Sequence, residues 1–98
     1  DKSDLARRFV KATARGYAFA IEKPAEAAEI LLKYSPESDP ALVRASQAYL
    51  SPLYQDDAAA WGTQERAVWA GLSEWMAENG LIPEPIDVDA AFTTEYMP

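Results

Sequence analysis

Residues 5–21, LARRFVKATARGYAFAI, decide the fold class. Leu5, Phe9, Val10, Thr13, Ala14, Tyr17, Ala20 and Ile21 recur at steps of three and four residues, while Arg7, Arg8, Lys11 and Arg15 fall on the remaining faces. That period, with charge opposite the apolar stripe, is the pattern of an amphipathic helix. Ser3 or Asp4 is placed to cap its start, because a short side-chain oxygen can accept one of the free amide hydrogens of the first turn. Lys23-Pro24 ends it, since proline pushes the residue before it out of helical geometry.

Working outward, Pro24 suits the first position of a second helix running to about Tyr34, with Ala27, Ala28, Leu31 and Leu32 inward and Glu26 and Glu29 outward. One residue leaves no room for a loop, so the two helices are expected to meet at a sharp corner. Ser35 to Asp39 is turn-rich, and Asp39-Pro40 is the cap-then-proline start of a third helix. Its stripe is Leu42, Val43, Ser46, Tyr49, Leu50 and Leu53, and Pro52 should end or kink it near Leu50 by removing an amide donor. Tyr54 to Gly62 is the least periodic stretch and is expected to be a structured loop. Thr63 is the expected cap of a fourth helix carrying Val68, Trp69, Leu72, Trp75 and Met76. Asn79-Gly80 supplies the left-handed residue that closes helices, with Leu81 packing back on the last turn. Pro83 and Pro85 bracket an extended stretch, Asp87 or Asp89 caps a short turn through Phe92, and Thr93 to Pro98 reads as a tail. Nothing alternates long enough for a strand. The expected architecture is all-α, about four main helices plus a short terminal one, in a single helical segment spanning residues 1–98.

Composition narrows the function. The 98 residues include nine Lys plus Arg, sixteen Asp plus Glu, no His and no Cys, for a net charge of −7. Zinc sites built on Cys or His, thiolate nucleophiles, disulfides and imidazole triads are thereby excluded. An acidic chain is also a poor partner for nucleic acid, which needs basic side chains to displace counterions. Binding without catalysis or a cofactor is the expectation. The charge is uneven: residues 1–34 are net +2 and residues 35–98 are net −9. The acidic half is either a solvated surface or the docking face of a free-standing α-helical interaction domain with a basic partner.

Few constellations can carry chemistry. Asp56-Asp57 and Asp87-Val88-Asp89 are the close carboxylate pairs, and neither keeps the ligand schedule of a calcium loop, so helix capping and loop solvation account for them. Trp69 and Trp75 lie on the fourth helix's stripe and read as core. Trp61 sits in the irregular loop with Tyr54 at its other end. These two are the candidate ligand-binding residues, with Trp61 read either as a loop anchor or as a face on which a planar ligand stacks. Arg7, Arg8, Lys11 and Arg15 could face an anion, although a solvated helix face explains them more simply.

Read in order, Arg8 to Tyr17 (RFVKATARGY), Pro24 to Leu31 (PAEAAEIL), Glu78 to Ile82 (ENGLI) and Val88 to Pro98 (VDAAFTTEYMP) form a series. The series resembles the C-terminal part of the thiamine-pyrimidine-precursor family of ABC-transporter substrate-binding proteins, relatives of the sulfonate and nitrate binders. The resemblance implies a two-lobed type II periplasmic-binding α/β fold closing on a small molecule, of which this chain would be the helical C-terminal part. It further implies a small-molecule ligand bound through the full-length parent, an ABC permease as partner, and a periplasmic or extracellular location, as with a membrane-anchored lipoprotein. The start at Asp1, without Met and directly into a helical pattern, is what a piece cut from a longer protein would show. On that reading the segment alone binds no ligand, and its exposed helix faces favour a homo-oligomer.

Overall fold

The computed structural model describes all 98 residues, Asp1 to Pro98. In chain order the elements are α1 (Ser3–Glu22), α2 (Pro24–Tyr34), α3 (Pro40–Leu50), a single 3-10 turn (Ser51–Leu53), α4 (Arg66–Glu78) and a short α5 (Val88–Ala91), with no strand. The chain is all-α, as the 3.6-residue period requires. No helix is long and apolar enough to cross a membrane.

Most boundaries follow from local chemistry. Lys23 alone joins α1 to α2: its amide donates to the Phe19 carbonyl to finish one helix, and its carbonyl accepts from Ala27 to begin the next. Asp39 caps α3 by accepting the Leu42 amide at 3.0 Å, with Pro40 just inside the helix. At the end of α4, Gly80 takes φ +71°. The Gly80 amide then reaches the Ala77 carbonyl and the Leu81 amide reaches that of Met76, closing the helix by a Schellman pair.

Three expectations fail locally. Ser3 and Asp4 do not cap α1; Lys2 stands at the boundary without a side-chain cap, and the Ser3 amide donates to the Asp1 carboxylate at 3.1 Å. Asp4 lies inside the first turn, where it pairs with Arg8 at 3.0 Å. Thr63 does not cap α4 either, because its hydroxyl turns back to donate to the Ala60 carbonyl at 2.7 Å, and Glu65 stands at the boundary with no side-chain cap. The segment Thr93 to Pro98 is no free tail. Arg7 holds it, donating to the Glu95 carbonyl at 3.0 Å and to the Glu95 carboxylate at 3.4 Å, with its guanidinium 5.2 Å from the centre of the Tyr96 ring. These partners are 88 and 89 residues apart in the chain, a separation that no local pattern reports.

The core is thin. α2 packs on α3, Ala28 of α2 is 1% exposed, and α5 contributes Val88. Two buried serines complete it, each with partners. Ser51 donates to the Gln47 carbonyl at 2.7 Å and accepts from the Gln47 amide group at 2.7 Å. Ser73 accepts the Ile86 amide at 2.8 Å and so fixes the extended segment against α4. Around this core the helices leave much apolar surface open. Phe9 is 71% exposed and Trp75 55%, and Leu31, Leu42, Val68 and Leu72 are also exposed. Trp75 and Leu31, expected inside, therefore face outward. The radius of gyration is 17.0 Å, against about 13 Å for a compact domain of this length. The accessible surface is 7603 Å², where a folded monomer of this mass exposes about 5,500 Å².

Candidate functional site

α1 is the scaffold of the site because it carries Tyr17 in its C-terminal half. Trp61, from the loop after the 3-10 turn, lies over the Tyr17 ring, with centroids 4.8 Å apart and planes inclined by 24°. Tyr54 meets the same ring edge-on at 4.9 Å and 89°. The two candidate residues read from the sequence are thus brought together, and what joins them is Tyr17, which helical period alone assigned to the apolar stripe.

Each partner is held in place by its own neighbours. Tyr54 follows the 3-10 turn that Pro52 imposes, and its hydroxyl accepts from the Gln47 amide group at 3.5 Å, the group that also bonds buried Ser51. Trp61 is held by a loop full of short bonds: Gln55 to the Ala58 carbonyl at 2.9 Å, Thr63 to that of Ala60, and Gln64 to that of Gly62 at 3.3 Å. Asp56 takes φ +52° within this loop, a left-handed conformation that Asp tolerates better than most residues.

Beside the aromatic trio, Thr13, Gly16, Tyr17, Ala20 and Tyr54 line an open groove of about 350 Å³. Its floor is one face of α1, kept flat by Gly16 and Ala20. A side chain begun at Gly16 would meet nothing within 4 Å, so the floor is bare. Tyr17 and Tyr54 form the wall. The Thr13 hydroxyl, among the groove's lining groups, donates to the Phe9 carbonyl at 2.9 Å, so that toward any other partner it can act only as an acceptor. The volume suits a small planar molecule at the low end of the usual range for ligand sites, and its openness means that a ligand lying here would be covered on one side only.

The other candidate groups are engaged elsewhere. Trp69 stacks on Phe92 at 5.3 Å and donates to Gln64 at 3.0 Å, an arrangement that ties α4 to α5. Asp87 accepts the Asp89 amide, and Asp89 pairs with Arg66 at 2.8 Å. That hydrogen bond from Arg66 holds the Asp89 carboxyl below the usual aspartate range. Glu29 is likewise lowered by its hydrogen bond from Arg44 at 2.7 Å. No three His, Cys, Asp or Glu side chains converge as a metal site. Gly16 and Tyr17 escaped sequence reasoning, although a glycine in the middle of a helix, where it costs about 1 kcal/mol relative to alanine, is itself a sign of close approach or open space.

No protein-family model matches the chain. It is similar to part of the riboflavin-binding protein RibY of Chloroflexus aurantiacus, at 34% identity over 101 residues, which cover 97% of this chain and 29% of that protein. The chain thus spans less than a third of the length of this relative. The finding overturns the resemblance to the thiamine-pyrimidine-precursor family, since the protein matched is named for riboflavin. The physical reason is that the quoted series, an Ala/Glu-rich helix and a glycine helix stop among its parts, is shaped by helix propensity and capping, which carry no record of the ligand. What stands is similarity to part of a small-molecule-binding protein.

Proposed function

We propose that this chain is a helical part of a small-molecule-binding protein and supplies one aromatic wall of a site for a planar heteroaromatic ligand such as riboflavin. The observation that carries the reading is the Tyr17–Trp61–Tyr54 trio beside a bare groove on α1. Aromatic faces recognise flat rings by offset stacking and edge contacts, and RibY is named for a ligand with such a ring system. The excess of roughly 2,000 Å² of accessible surface over a folded monomer of this mass supports a larger assembly, because it is more than twice the about 800 Å² that a standard interface takes from one partner. In this reading the remainder of a two-lobed binding protein packs on the exposed faces and closes the groove from the other side. Binding proceeds without covalent chemistry, in keeping with a chain that has no His or Cys. The reading extends to an importer's solute-binding component working outside the cytoplasm.

Titration of riboflavin with the full-length binding protein that contains this chain, followed by flavin fluorescence, tests this. Saturable quenching that Tyr17→Ala removes is expected. Quenching no stronger than that caused by free tryptophan and tyrosine would overturn the reading.

A further inference from the structure

The end of the chain is fastened at two places on the framework that carries the site. One is Arg7, ten residues before Tyr17 on α1 and so about 15 Å along the same rigid helix. It grips the Glu95 carbonyl and carboxylate and lies over the Tyr96 ring, while Ser3 and Tyr96 share a hydroxyl hydrogen bond of 3.4 Å. The other is Gly62, the residue after Trp61. Gly62 takes φ +82°, and the space where its side chain would begin is filled by the sulfur and terminal methyl of Met97. A turn closed by the Met97 amide on the Thr94 carbonyl at 3.1 Å sets the direction of that side chain. Between loop and chain end lies a cleft of about 210 Å³ lined by Trp61, Gly62, Gln64, Thr94 and Met97 among others.

The indole of Trp61 is thus held by Tyr17, and the backbone next to it is held by Met97 at Gly62. Tyr17 presents the surface on which it stacks, and Met97 occupies the only direction in which a side chain at Gly62 could have grown. A flexible loop that must hold an aromatic ring against a helix needs such a fixed point, because each freely rotating side chain and backbone residue loses entropy on being ordered. Methionine suits the task, being unbranched and able to fill an irregular notch.

We propose that Met97 is a positioning residue for Trp61, so that the chain end from Thr94 to Pro98 belongs to the ligand-binding site and not merely to its scaffold. The proposal rests on the reading of the Tyr17–Tyr54 groove as that site. Incorporation of fluorotryptophan resolves the three tryptophans by fluorine NMR, with assignment by single Trp→Phe variants. In Met97→Ala the Trp61 resonance should shift and broaden while those of Trp69 and Trp75 stay in place, riboflavin affinity should fall about tenfold, and Met97→Leu should restore both. An unmoved Trp61 resonance, or equal changes in all three, would overturn the proposal. If the unsubstituted chain does not bind riboflavin yet Trp61 alone responds to Met97→Ala, the positioning role stands and the ligand reading falls. If the chain binds riboflavin and Met97→Ala changes neither Trp61 nor affinity, the positioning role falls alone.

Discussion

Tyr17 and Trp61 stand 44 residues apart in the chain and stack with ring centroids 4.8 Å apart, which makes one turn of α1 the meeting point of the first helix and the central loop. Such a pair contributes about 0.5–1.5 kcal/mol beyond its area burial. A double-mutant cycle on Tyr17→Ala and Trp61→Ala, read by urea unfolding, should return a coupling in that range. Coupling near zero would show that the rings do not meet in solution.

Gly16 allows the groove to be closed without disturbing the fold. Replacement by Ala should stabilise α1 by about 0.5–1 kcal/mol, since glycine loses more backbone entropy in a helix and an added methyl meets no neighbour. Gly16→Leu should keep the unfolding midpoint at or above that of the parent chain yet abolish riboflavin quenching by filling the floor. A Leu variant that binds normally would place the ligand elsewhere.

Ser73 satisfies a single backbone donor, the Ile86 amide. Ser73→Ala should cost about 0.5–1.5 kcal/mol in thermal or urea unfolding, the net worth of one hydrogen bond whose donor residue, Ile86, is itself exposed. Hydrogen exchange at Ile86 should quicken more than at residues of α2, and equal acceleration everywhere would argue against the assignment.

Acid should weaken the fold through two surface pairs. The folded-state carboxyls of Glu29 and Asp89 lie below their ordinary range because Arg44 and Arg66 hydrogen-bond them. A group with a lowered folded-state pKa binds fewer protons folded than unfolded, so its contribution is fully present above the ordinary carboxylate range and is lost as pH falls through the lowered value. Both pairs are solvent-exposed, so the contribution is small and falls with added salt. In Arg44→Ala the decline of stability between neutral and acid pH should be shallower. An unchanged slope would show that the Glu29 pair is not formed.

How much was legible depends on the range of the interaction involved. The starts of α2 and α3 were readable to the residue and the ends of α2, α3 and α4 closely, because Pro24, Asp39-Pro40, Pro52 and Asn79-Gly80 act on atoms within a few positions of themselves. Tyr54 and Trp61 were readable as candidates because an aromatic in an aperiodic loop has no helical stripe to join. Tyr17 was hidden because the same period that makes α1 accounts for it fully. Trp75 was misplaced for the complementary reason: periodicity reports which residues share a face and says nothing of whether another element covers that face.

The amino-acid sequence by itself determined the all-helical class, the order and most bounds of the helices, and the exclusion of imidazole and thiol chemistry, since all of these follow from composition and from contacts within about one helical turn. Only the tertiary structure decided that Trp61 lies on Tyr17, that Met97 fills the notch at Gly62, and that Arg7 grips Glu95 and Tyr96. Those relations join residues 35 to 89 positions apart. They arise where the loop and the chain end find, on α1 and on each other, surfaces that their own neighbours do not supply.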